Sequence, residues 1–104
     1  MFSGKIIDRF KTLPTPFYYY DLEVLKTTLE HIREEAGRYG FHVHYALKAN
    51  ANRPILELVK AYGLGADCVS GNEVKRAVDT GFKPGHIVFA GVGKSDADIL
   101  YALE

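Results

Sequence analysis

The stretch HVHYALKANANRP, residues 42–54, sets a lysine at the end of an apolar run, where the chain passes into small and turn-forming residues. A lysine amine has two uses at such a place. Charged, it is a solvated strand end; partly desolvated, with its pKa depressed, it is a nucleophile that forms a Schiff base with a carbonyl compound. Residue type alone leaves both readings of Lys48 open. His42 and His44 precede it two residues apart, which places both imidazoles on one side of a strand and would suit a pair of metal ligands. Cys68 is the only thiol and no third ligand stands out, so packing or hydrogen bonding is the expected duty of the histidines, and no metal site is assigned. GVGKS, residues 91–95, invites a phosphate-loop reading, but that pattern requires a glycine where the chain has Val88. Ser70 and Glu73 have the spacing of a helix capping box.

The elements that must position these residues follow from patterning. LPTPFYYYD carries two prolines that discourage helix after an irregular start, then an aromatic run of high strand propensity, giving a short strand from Phe17 to Tyr20. Asp21 caps a helix whose apolar stripe is Leu22, Leu25, Leu29, Ile32 and Ala36, ended by Gly40. FHVHYALK alternates, with Phe41, Val43, Tyr45 and Leu47 on one face and His42, His44, Ala46 and Lys48 on the other. Pro54 opens a second helix with a stripe of Ile55, Leu58, Val59 and Tyr62. GADCVS is the next strand, and Ser70 caps a helix with Val74, Ala77 and Val78 inward that closes at Gly81. HIVFAG is a third strand, and Ser95 with Asp98 starts a last helix bearing Ile99, Leu100 and Leu103. That helix meets Glu104 without a stop signal, so the chain is expected to end inside it.

Composition fits an ordinary globular protein: 104 residues, 47% hydrophobic and 25% charged. Thirteen basic and thirteen acidic residues cancel, which argues against nucleic acid or an anionic membrane as partner. A single cysteine forbids an intramolecular disulfide and suits a reducing cytoplasm, and the N-terminus MFSGKIIDRF has charges among its apolar residues, unlike a signal peptide or a membrane span. A cytoplasmic location is expected.

Strands and helices alternate, and the points where strands yield to loops, Lys48, Ser70 and Val92, recur about every 22 residues, a βα period. The expected fold class is therefore α/β with parallel strands. A (β/α)₈ barrel of the TIM type takes about 250 residues, so this chain would supply its first three or four βα units. In parallel α/β folds the C-terminal ends of the strands carry the active site, so Lys48 would stand at the pocket mouth.

YALKAN, then GADCVSGNEV, then IVFAGVGKSDADI, in this order and spacing, resemble the N-terminal barrel part of the fold-type III, pyridoxal-phosphate-dependent decarboxylases, most closely the members that act on meso-diaminopimelate. The resemblance runs from about Thr15 to the end. It implies an alanine racemase-like barrel domain, of which residues 1–104 would be an N-terminal fragment, with a C-terminal β domain absent from this chain. It also implies that Lys48 carries the cofactor as a Schiff base and that Asp67 lies near cofactor and lysine; His44, nearer the strand end than His42, is the histidine expected to line the cofactor pocket. Lys94 would lie on a βα loop with no catalytic assignment.

The activity so implied for the complete protein is decarboxylation of meso-diaminopimelate to L-lysine and carbon dioxide, a step of lysine biosynthesis. The cofactor serves as electron sink, and the family's homodimer builds its sites between subunits. This chain alone is expected to be inactive, because the family's phosphate loop and substrate residues lie on later strands and in the β domain. Other readings are a decarboxylase for another basic amino acid or carboxynorspermidine, a non-enzymatic pyridoxal-phosphate-binding barrel, and a small α/β interaction module without cofactor.

Overall fold

The computed structural model describes residues 2–104. Helix α1 spans Gly4–Phe10 and α2 spans Leu22–Arg38. Strand β1, His44–Ala46, leads through α3, Arg53–Ala61, to β2, Gly65–Cys68. Helix α4, Gly71–Thr80, then leads to β3, Ile87–Phe89, and α5 covers Asp96–Leu103. The strands form one parallel sheet in the order β1-β2-β3. His44 pairs with Gly65 and Ala66 with Ile87, the same offset along the chain, so each crossover consumes one βα period as expected.

The capping residues do what their chemistry allows. The Asp21 carboxylate accepts from the backbone N–H groups of Glu23 and Val24, and the Ser95–Asp98 pair forms a full capping box on α5. At α4 only half of the expected box forms. Ser70 Oγ accepts from Glu73 N at 3.2 Å, but the Glu73 carboxylate reaches one residue further back, to Val69 N at 2.6 Å. Gly81, at φ +94°, closes α4 in a left-handed conformation that side chains rarely adopt.

The core lies between the sheet and its covering helices. Leu29 of α2, Ile55, Leu56 and Val59 of α3, and Val74 and Ala77 of α4 pack over Leu47, Ala66 and Cys68. Full burial of a side chain such as Leu56 contributes about 1.5–3 kcal/mol. Tyr45, Ile87 and Phe89 flank this cluster, so the alternation read in the sequence assigns the faces of β1 correctly, with Tyr45 and Leu47 toward the helices.

Three local expectations are corrected. The start is a helix, α1, capped by Ser3. Residues 17–20 form no strand. Phe17 and Tyr19 pack instead against Phe10 of α1, and Tyr19 also against Phe2. Strand propensity measures fit to a sheet surface, and without the sheet it has no effect. Third, Val78 is exposed, because α4 seats its i, i+3 row of Gly71, Val74, Ala77 and Thr80 against the core.

Candidate active site

At Ala46 the extended strand ends, and Leu47–Ala49 tighten into a single 3₁₀ turn with Lys48 at its centre. Leu47, with none of its surface exposed, anchors this turn in the core, while Lys48 beside it is exposed at the C-terminal end of β1. Polar contacts hold the exit. Tyr45 Oη donates to the Asn50 carbonyl at 3.2 Å, and Asn50 Oδ1 accepts from Asn52 N at 3.0 Å. Asn52 Nδ2 in turn donates to Tyr20 Oη at 3.1 Å. Burial pushes the Tyr45 hydroxyl pKa up, partly offset by the bond to Asn50, so the group remains a donor at neutral pH.

The opposite face of the sheet carries the acid. Ala66 and Cys68 are wholly buried against the helices, and side chains alternate along a strand, so Asp67 between them faces the other way. It stands in register with Ala46, the last residue of β1, and with Val88, the middle residue of β3. Asp67 Oδ1 is buried without a hydrogen-bond partner, and no ion pair joins Asp67 to Lys48 among the described residues. A buried, unpartnered carboxylate oxygen is costly unless something donates to it. Such an acid, a neighbouring small Ala46 and an exposed amine at the rim suit a flat carbonyl cofactor with a polar edge, bonded through Lys48.

His44 lies elsewhere. It opens β1, and its imidazole covers Gly65, the first residue of β2. A Cβ added to Gly65 would meet His44 Cδ2 at 2.4 Å and the His86 carbonyl oxygen at 2.5 Å. His44 therefore shares the face of Asp67, as the alternation requires, but fills space at the end of β1 away from Lys48. There it borders a concavity of about 540 Å³ whose rim includes Arg33, His42 and His86. Among the described residues no group of three His, Cys, Asp or Glu side chains is placed to hold a metal ion.

Two other candidates resolve simply. Lys94 Nζ donates to the Gly91 carbonyl at 2.7 Å and lies 5.3 Å from the centre of the Phe89 ring, on the loop after β3. Cys68 is fully buried, and burial, followed by the nearby Glu73 and Asp67 carboxylates, pushes its thiol up to about 11. Two features carry no local sequence signal, the need for glycine at 65 and the contact of Tyr20 with the turn after Lys48. The only trace of the second was an aromatic run, which reads as strand.

Residues 22–104 match the family model described as pyridoxal-dependent decarboxylase, pyridoxal binding domain. The chain belongs to this decarboxylase family. Among curated decarboxylases, it is 54% identical over 99 residues to the diaminopimelate decarboxylase of Bacteroides thetaiotaomicron, covering 94% of this chain and 26% of the relative. It is 46% identical over 95 residues to the diaminopimelate decarboxylase of Helicobacter pylori, covering 91% of this chain and 24% of that one. The chain thus spans about a quarter of the length of the curated relatives it matches.

Solved decarboxylases share its shape. The crystal structure of the Helicobacter pylori diaminopimelate decarboxylase complexed with L-lysine superposes with a TM-score of 0.78 at 43% identity, over 94% of this chain and 25% of that one. The lysine decarboxylase of Selenomonas ruminantium gives a TM-score of 0.85 at 26% identity, over 99% and 28%.

Proposed function

We propose that this chain is the Lys48-bearing opening of a barrel domain in a pyridoxal-phosphate-dependent decarboxylase that converts meso-diaminopimelate to L-lysine and carbon dioxide. Later βα units and a β domain complete that protein, which works as a cytoplasmic homodimer. The observation that carries this reading is the place of Lys48, on a braced turn at the C-terminal end of β1, in a sheet whose open face presents the unpartnered oxygen of Asp67. Identity supports this substrate class: it is 54% to a diaminopimelate decarboxylase and 26% to a lysine decarboxylase of similar shape.

Pyridoxal phosphate, when bound, withdraws the electron pair left on the substrate's α-carbon as carbon dioxide departs. Lys48 Nζ is the covalent attachment point, and it must shed a proton to act as nucleophile. Asp67 Oδ1, buried and unpartnered on the open face, would accept a hydrogen bond from a protonated group of the cofactor or substrate and so help to hold it. Ala46, in register with Asp67, leaves room for a planar group above β1. His44 supports this floor from the other end of the strand by fixing β1 against Gly65.

The test is reductive trapping. The complete protein is incubated with pyridoxal phosphate, reduced with borohydride and mapped by peptide mass. Label on Lys48 that is lost in Lys48→Ala supports the reading, and equal labelling of both proteins refutes it. Carbon dioxide release from meso-diaminopimelate but not from lysine or arginine by the complete protein tests the substrate.

A further inference from the structure

Asn52 stands at the N-cap of α3, where asparagine ordinarily accepts a hydrogen bond from the helix's first turn. Here its side chain makes no cap bond. Its amide instead donates to the hydroxyl of Tyr20, a residue 32 positions earlier in the chain. A capping residue that forgoes its own helix for a distant partner indicates that the partner's position matters more locally than the cap.

That partner belongs to a distinct part of the molecule. Residues 2–20 lie outside the region matched to the family's pyridoxal-binding domain, and their rings form a cluster of Phe2, Phe10, Phe17 and Tyr19 beside α1. Tyr20 ends this segment and borders, with Tyr45 and Asn50, a groove of about 610 Å³ next to the Lys48 turn. The turn itself is a lone 3₁₀ turn, with few bonds of its own. On its near side Leu47 is fixed by the core; on its far side the backbone is fixed by Tyr45 through Asn50 and by Tyr20 through Asn52.

We infer that Tyr20 and Asn52 are positioning residues for Lys48: the N-terminal aromatic segment latches Asn52, in the segment between the Lys48 turn and α3, and so holds the amine in its reactive orientation. This inference rests on the proposed role of Lys48. Neither residue touches the reacting atoms, so the effect is expected in the rate of covalent attachment and not in fold stability.

The experiment is a double-mutant cycle with Tyr20→Phe, which removes only the hydroxyl, and Asn52→Ser, a good helix cap too short to reach Tyr20. The rate of borohydride-trapped attachment of pyridoxal phosphate to Lys48 is followed with the parent, each single variant and the double. Each single variant should slow attachment about threefold to tenfold, the range of one hydrogen bond, with the double no slower than the slower single. The melting temperature of Asn52→Ser should equal or exceed that of the parent. Attachment at the parental rate in Tyr20→Phe, or effects that multiply in the double, would overturn the latch while leaving Lys48 in its role. All four proteins are made as the complete decarboxylase, and absence of label from Lys48 in that complete parent would overturn the proposed function itself, and the latch with it.

Discussion

Asp98 of α5 accepts a hydrogen bond through Oδ1 from the backbone N–H of Gly71, the first residue of α4, at 3.0 Å. Its other oxygen takes the Ser95 backbone N–H at 3.1 Å and the Ser95 hydroxyl at 2.6 Å. One carboxylate thus caps its own helix and ties it to the helix before, and Gly71 permits the approach, since a Cβ there would lie 2.6 Å from Asp98 Oδ1.

Those bonds, the Ser95 hydroxyl first, then the backbone donors of Ser95 and Gly71, hold the Asp98 carboxyl below the usual carboxylate range. A depressed native pKa gives stability that is complete above the unfolded value, about pH 4, and is lost as pH falls through the lower native value. The melting temperature of Asp98→Asn should therefore lie below that of the parent at neutral pH, and the two should converge in acid. Thermal unfolding between pH 2 and 7 checks this, and a constant gap across that range would contradict it.

Gly65→Ala should destabilise the fold by about 1–3 kcal/mol, as overpacking does. The added carbon meets both the His44 ring and the His86 backbone oxygen, so trimming one neighbour does not make room. Urea unfolding of Gly65→Ala with and without His44→Ala should show no rescue by the second substitution.

Asp67→Ala should separate stability from chemistry. Removing an unpartnered buried oxygen relieves a penalty of about 1–3 kcal/mol, against which some packing is lost, so the cofactor-free protein should melt no lower than the parent. Attachment of pyridoxal phosphate to Lys48 in the complete protein should slow by about a hundredfold or more, the usual contribution of a positioned acid or base.

Cys68 should resist alkylation in the folded protein. With its thiol pushed up to about 11, roughly one molecule in a thousand is ionised at pH 8, and the sulfur has no exposed surface. Iodoacetamide should label it only after unfolding, which makes the cysteine a reporter of global opening, read by mass spectrometry.

The sequence revealed most where one residue has one local task. Asp21, Ser70, Ser95 and Gly81 mark helix ends through bonds made within a few residues, and all four sit where expected. Alternation in FHVHYALK assigned the faces of β1 because both faces have different neighbours. It could not show that Lys48 leaves the strand for a 3₁₀ turn, since that depends on Leu47 reaching a core built from α3 and α4. Nor could it place His44 along the strand, because only the pairing with Gly65 shows which end it fills. The run at 17–20 misled for the related reason that an aromatic residue's structure depends on what it can pack against.

Leu47 and Lys48 are consecutive, one with no surface exposed and the other open to solvent. Any substitution that lets Leu47 settle deeper or rise, even one remote on α3, also shifts the amine, because a peptide unit is rigid. Selection on melting temperature and selection on turnover therefore act through a shared coordinate at this point. Improvements in core packing below Leu47 will be retained only when they leave its backbone where it already is.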